Sequence, residues 1–200
     1  MSVIEEKYMQ RCNQRSDINE HLPTLFHYAR ECAHVTECGV RGAISSYAFA
    51  NALRGRDNRL IMVDLKKSQN TDVCLKECQN EAVNATFYEE SDLTCPMEPT
   101  ELLFIDTWHV YGHLKRELAR WNGSVSKYII LHDTTVDGVL GESVREGWNI
   151  PEQARQSGLT QEEIRKGLWP AVEEFLADHP EWKLKERFTN NNGLTVLVRV

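Results

Sequence analysis

The 200-residue sequence has no uninterrupted stretch of about eighteen apolar residues, the minimum for a helix that crosses a membrane, so no membrane insertion is expected. It also lacks any long Lys/Arg run. Its 23 basic residues face 30 acidic ones, a net charge of -7, and this removes the positive footprint that binding to a phosphate backbone or an anionic membrane surface requires. Nucleic acid is therefore not an expected partner. The opening Met1-Ser2-Val3-Ile4-Glu5-Glu6-Lys7 is too charged for the apolar region of a signal peptide, and a soluble, cytoplasmic protein is expected. There is no internal repeat, no low-complexity tract and no Pro/Gly-rich linker, which leaves residues 1–200 as one expected domain. Cys74 and Cys78 lie one helical turn apart, but no second Cys/His pair follows at zinc-finger spacing. The six cysteines are expected to be reduced thiols, because 41% hydrophobic residues supply a core that needs no disulfide framework.

What is present is an alternation of apolar strands and helices. Residues 17–33 read as a lead-in helix, with Leu22, Leu25, Phe26 and Ala29 at helical spacing. His34 to Gly39 reads as a short strand entering a glycine turn, and Ala43 to Leu53 as the helix behind it. Further strands are expected at Arg59 to Asp64, Ala85 to Tyr88, Glu101 to Asp106 and Lys127 to Asp133, with helices at Thr71 to Glu81 and His113 to Trp121. Leu168 to Leu176 is a helix that tolerates Pro170 in its first turn. Trp182 to Phe188, the turn Asn190 to Gly193 and Leu194 to Val200 form a terminal hairpin. The expected fold class is α/β: a Rossmann-like, doubly wound, mostly parallel seven-stranded sheet with a C-terminal antiparallel hairpin. The polar segment 136–166 does not fit the sheet and reads as an acceptor lid, with Thr160 and Glu163 as a capping box within it.

The chemistry sits at the strand ends. Glu37-Cys38-Gly39-Val40-Arg41-Gly42 gives a glycine turn where a ligand can approach the backbone, and Glu37 stands where a dinucleotide fingerprint needs glycine. An acid there disfavours a diphosphate and suits a cationic ligand such as S-adenosylmethionine. Asp64, about twenty residues beyond the turn, is placed for ribose hydroxyls, and Asp92 for an adenine amino group. Asp106 and His109 leave the next strand at its ligand edge, and His109 reads as the general base for a hydroxyl acceptor. His132-Asp133 leaves the strand after it. Asp106 and Asp133, with His132 as a supporting neighbour, can converge on Mg2+ or another divalent cation, or can instead pair with Arg41 or His109. Asp106, His109 and Asp133 are thus the expected catalytic residues. The expected cofactor-binding set is Glu37, Gly39, Arg41, Gly42, Ser45, Asp64, Leu65, Ser91, Asp92, Asp106 and Thr107.

These blocks, together with Gly167-Leu168-Trp169-Pro170-Ala171 and Thr189 to Leu194, resemble the class I S-adenosylmethionine-dependent methyltransferases. The resemblance is to the sugar and small-molecule O-methyltransferases of the cephalosporin hydroxylase-like and methyltransferase 24-like group, and it covers nearly the whole chain. It implies that Glu37, Gly39 and Asp64 meet the methionine, backbone and ribose, and that Asp106 and Asp133 line the reaction centre. It also implies a sugar or glycan acceptor and a glycosyltransferase as partner. Relatives that need a metal often carry a tandem acidic pair where this chain has His132-Asp133, so the metal requirement stays open. Two other readings remain: a non-catalytic scaffold that keeps the cofactor pocket, and an NAD-dependent oxidoreductase.

Overall fold

The computed structural model describes residues 2–200. Among them, seven strands form one sheet in the order β3-β2-β1-β4-β5-β7-β6. The strands are β1 (His34–Cys38), β2 (Arg59–Asp64), β3 (Ala85–Glu89), β4 (Thr100–Ile105), β5 (Val125–His132), β6 (Trp182–Phe188) and β7 (Leu194–Arg199). The first five pair in parallel, and β7 runs antiparallel to both β5 and β6. The sheet is therefore the doubly wound, mostly parallel arrangement with a terminal hairpin.

Strand alternation divides the core in two. Val35, Leu60, Met62, Leu102, Phe104 and Ile130 face one side of the sheet, where α1 (Val3–Asn13), α2 (Leu22–Ala29), α3 (Ser46–Leu53) and α4 (Gln69–Asn80) cover them. Ile61, Val63, Leu103, Ile129 and Leu131 face the other, under α5 (Tyr111–Trp121) and α9 (Trp169–Asp178). Residues buried on both faces explain why the strands read as continuous apolar runs. Cys74 and Cys78 belong to the first core, on the inner face of α4.

One expectation needs correction, and the structure adds two features that the sequence reading did not contain. The helix expected over 17–33 is shorter: Asn19–His21 is a 3-10 turn, and α2 ends at Ala29. A separate helix, α1, precedes it, started by Ser2, whose hydroxyl accepts from the Glu5 amide at 3.1 Å. Only Ile4 and Tyr8 of α1 are buried, which is too sparse an apolar stripe to stand out in the sequence. The segment 136–166 is folded, with three short helices, α6 (Glu142–Arg145), α7 (Ile150–Ser157) and α8 (Gln161–Arg165). Ile150, Leu159 and Ile164 join Val110 in a small core of their own, and a bridge from Leu140 to Lys166 closes the segment at its base. The Thr160–Glu163 capping box forms at the start of α8.

Candidate functional site

Strand order reverses between β1 and β4, and open parallel sheets bind ligands in the crevice outside the strand ends at such a point. Here that crevice is a cavity of about 970 Å3, within the range of small-molecule sites. Its rim is the glycine turn after β1. Gly39 has a φ of +88°, and a Cβ there would overlap the Asp106 carbonyl oxygen, so only glycine lets this turn cross the β4 loop. The Asp64 carboxylate holds the turn from the side, accepting from the Val40 and Arg41 amides at 2.8 Å each.

Of the expected cofactor set, Gly39, Arg41, Asp64, Leu65, Ser91, Asp92, Asp106 and Thr107 line the cavity. Glu37, Gly42 and Ser45 do not. Alternation puts Glu37 with Val35 on the α3 face, fully buried, where its two oxygens accept from Ser45 Oγ at 2.5 Å and Ser46 Oγ at 2.6 Å. It ties the start of α3 to β1 rather than facing a ligand. Burial pushes its carboxyl up to about 8 against the lowering effect of the two serines. Arg41 points outward and pairs with Asp17 at 2.7 Å.

At the other end of the cavity, α5 clamps the loop after β3. The Trp121 indole donates to the Asp92 carbonyl at 3.2 Å, and His113 Nε2 lies 3.1 Å from Asp92 Oδ2. Glu117 is buried one turn further along α5 and accepts from the Thr107 hydroxyl at 2.7 Å.

The expected catalytic residues do meet, but behind the cavity wall. Asp106 lines the cavity, whereas His109 and Asp133 do not. His109 Nε2 is 3.2 Å from Asp106 Oδ1, and its Nδ1 is 3.2 Å from Asp133 Oδ2 and 3.3 Å from Asp137 Oδ2. His132 Nδ1 is 3.2 Å from Asp106 and 3.3 Å from Asp133. Asp133 has a φ of +56°, a left-handed backbone that breaks strand alternation and brings both His132 and Asp133 to the cluster. Burial alone would favour neutral His109, but Asp106, Asp137 and Asp133 outweigh it and hold the ring charged, well above its usual range. Asp106 and Asp133 raise His132 to about 10 against its burial. His109 does not line the cavity, and its two ring nitrogens face Asp106 on one side and Asp133 and Asp137 on the other, so the geometry does not give it the position of a direct base.

Two polar atoms in this cluster lack a partner among the described residues: Nδ1 of His109 makes no well-aligned hydrogen bond, and Oδ1 of Asp133 has none. Ligand-type atoms of Asp106, His109 and Asp133 lie within 4.8 Å of one another. An unpartnered carboxylate oxygen beside a second carboxylate, with an imidazole that would ligate in its neutral form once the ion displaced its proton, fits a divalent cation.

Several residues here carried no assignment from the sequence. Asp137, fully buried, is held by Arg145 of α6 through Nε at 2.7 Å and Nη2 at 3.0 Å. Glu142 Oε2 lies 3.6 Å from His109 Nδ1. From the segment read as a lid, Trp148, Gln153, Gln156 and Leu159 reach the cavity wall, the last three with no individual assignment from the sequence. His113 and Glu117 had one readable signal: they lie four residues apart and so share one face of α5.

No protein-family model matches this chain, and no curated protein matches it in sequence. Solved structures do match in fold. A Staphylococcus aureus protein described as a caffeoyl-CoA O-methyltransferase superposes with a TM-score of 0.67 at 13% identity, over 100% of this chain and 93% of that one. The chain has a methyltransferase fold. The O-methyltransferase TomG of Streptomyces achromogenes, in complex with S-adenosylmethionine, matches at a TM-score of 0.63 and 16% identity, covering 100% of this chain and 91% of its own. An O-methyltransferase from Bacillus cereus in complex with S-adenosylhomocysteine matches at 0.63 and 14%, covering 98% and 90%. At these identities the likeness is one of fold.

Proposed function

We propose that the protein is an S-adenosylmethionine-dependent O-methyltransferase acting on a hydroxyl of a small polar acceptor, with a sugar or glycan as the favoured class. The observation that carries this reading is the cavity at the strand-order reversal, bounded by the Gly39 turn, Asp64-Leu65, Ser91-Asp92 and Asp106-Thr107. Leu65 stands 74% exposed at its mouth, an apolar surface that a purine would cover. S-adenosylmethionine, when bound, supplies an electrophilic methyl group on a sulfonium. Asp64 orients the ribose, the Gly39 turn admits the ligand to the backbone, and the carboxylates at the β2 and β4 ends, Asp64 and Asp106, provide the negative field that a cationic ligand needs.

Asp106 meets the acceptor at the cavity wall and His109 acts through it. The Asp106 carboxylate, held ionised by the two charged imidazoles that approach Oδ1 at 3.2 Å, accepts a hydrogen bond from the acceptor hydroxyl and orients it, and the proton released on transfer leaves to solvent. Asp106, His109 and Asp133 would hold a divalent cation. Such an ion would lower the pKa of a bound hydroxyl.

Support for a polar acceptor comes from a second groove of about 610 Å3, lined by Arg15, Ser16, Asp17, Asn19, Glu20, Asn191 and Asn192, with no apolar or aromatic side chain among them. Asp17 links it to the cluster, since its carbonyl lies 3.1 Å from His132 Nε2. Hydrogen-bonding walls of this kind suit a polyhydroxylated ligand better than a flat aromatic one. The test is transfer of an isotopically labelled methyl group from S-adenosylmethionine to a panel of glycosides, matching deoxyglycosides and catechols. Label in glycosides, lost for one deoxy analogue, supports the reading. Label in catechols alone refutes the sugar acceptor, and label in no acceptor with any divalent ion refutes the enzyme.

A further inference from the structure

Where α5 clamps the loop after β3, three side chains with metal-ligating atoms come together: Asp92 from the loop, and His113 and Glu117 from α5. One such atom from each lies within 4.8 Å of the others. His113 Nε2 is 3.1 Å from Asp92 Oδ2 and 3.9 Å from Glu117 Oε1. Ligand atoms at about 2.0–2.2 Å from one divalent ion stand no more than about 4.4 Å apart, so both separations fit a shared ion. The fold holds each group in place. His113 and Glu117 are four residues apart on one face of α5, and the Trp121 indole fixes the Asp92 backbone by donating to its carbonyl at 3.2 Å. The Thr107 hydroxyl donates to Glu117 Oε1 at 2.7 Å, as outer partners do when they orient a ligating carboxylate.

Glu117 is the member that the protein alone does not satisfy. It is 1% exposed, and its Oε2 has no hydrogen-bond partner among the described residues. Ionised, the group leaves a buried acceptor without a donor; protonated on that oxygen, it leaves a buried O–H without an acceptor. A cation satisfies it. Among the described residues no Lys or Arg pairs with Asp92 or Glu117, and His113 is the one group within ion-pairing distance of both. Burial and the Asp92 charge push the Glu117 carboxyl well above its usual range, as expected where positive charge is short.

We propose that Asp92, His113 and Glu117 hold a divalent ion of the Zn2+ type, at a site that shares no ligand with Asp106, His109 and Asp133. One imidazole with two carboxylates suits Zn2+ better than Mg2+ or Ca2+, which take oxygen ligands. Asp92 and His113 line the cavity and Glu117 lies behind them, so the fourth tetrahedral position opens toward the cavity. The ion offsets both carboxylate charges and ties the loop after β3 to α5. All three ligands come from the chain, so the inference stands apart from the S-adenosylmethionine reading.

The experiment is titration of chelator-stripped protein with Zn2+ against a chromophoric chelator, in the wild type and in Asp133→Asn, which disables the Asp106 cluster. Asp133→Asn is expected to keep a saturable equivalent of Zn2+. Adding His113→Gln or Glu117→Gln removes one equivalent from either background, and Thr107→Val weakens it by about 10- to 100-fold. Co2+ in the same site should show no thiolate charge-transfer band. Zn2+ binding that survives His113→Gln and Glu117→Gln overturns the inference. So does loss of all binding in Asp133→Asn, which assigns the ion to the Asp106 cluster, and so does a thiolate band, which assigns it to the cysteines. If Glu117→Gln or Asp133→Asn does not fold by circular dichroism, His113→Gln in the wild type decides: an unchanged stoichiometry overturns the proposal.

Discussion

Asp106 touches the cavity on one side and two imidazoles on the other, and this double position assigns different roles to residues only a few positions apart. Because His109 lies behind Asp106, its loss should affect transfer and leave cofactor binding intact. His109→Gln is expected to lower the single-turnover rate by about 100-fold while the S-adenosylhomocysteine Kd stays within about threefold. Equal losses in rate and affinity would place His109 in the cofactor site instead. Glu37 is expected to act through stability. Its folded pKa of about 8 lies above the ordinary 4.5, so the folded state keeps a proton that the unfolded chain releases. Its contribution is fully present below about 4.5 and is lost as pH rises through about 8. Glu37→Gln should therefore flatten the decline in Tm across that window, and an unchanged slope in thermal melts would contradict the assignment. The strand-end residues Gly39, Asp64, Asp106 and Asp133 were legible in the sequence because an apolar run ending in an acid or glycine marks a ligand edge. Glu37 misled, since its place in the motif is correct but alternation turns it into the core. Asp137 and Arg145 could not be read, because their pairing depends on how segment 136–166 folds back.

That segment is the element on which the site depends most. Gly112 lets α5 approach α8 so closely that a Cβ there would lie 2.7 Å from Leu159 and 2.8 Å from Glu163. Arg145 joins α6 to Asp137 and so to His109. Arg145→Ala strands a fully buried carboxylate. Allowing for the partial exposure of the guanidinium, a loss of about 1–3 kcal/mol is expected, concentrated in residues 138–166. Limited proteolysis reads this directly: cleavage within 138–166 should precede cleavage of the sheet, and an unchanged pattern would argue against the latch. The sheet strands, α9 and the hairpin could be read from the sequence because each buries a dense periodic set of residues. The segment's internal order could not, because it rests on four apolar residues spread from Val110 to Ile164. The α1 helix was missed for the same reason, with two buried residues in eleven.

For the whole molecule, a parallel sheet closed by an antiparallel hairpin sets the cavity between β1 and β4, and the chain carries a net charge of -7. No helix among the described residues is long and apolar enough to cross a membrane. The same strand order could hold a dinucleotide, and two features argue against that: Glu37 where the turn would need glycine, and an Asp64 carboxylate that already holds the turn amides. The most direct measurement of the central claim is calorimetric titration of the wild type and Asp64→Ala with S-adenosylhomocysteine and with NAD. The account predicts that S-adenosylhomocysteine binds the wild type, that Asp64→Ala weakens it by at least about tenfold, and that NAD gives no saturable heat. Saturable binding of NAD without S-adenosylhomocysteine would contradict it.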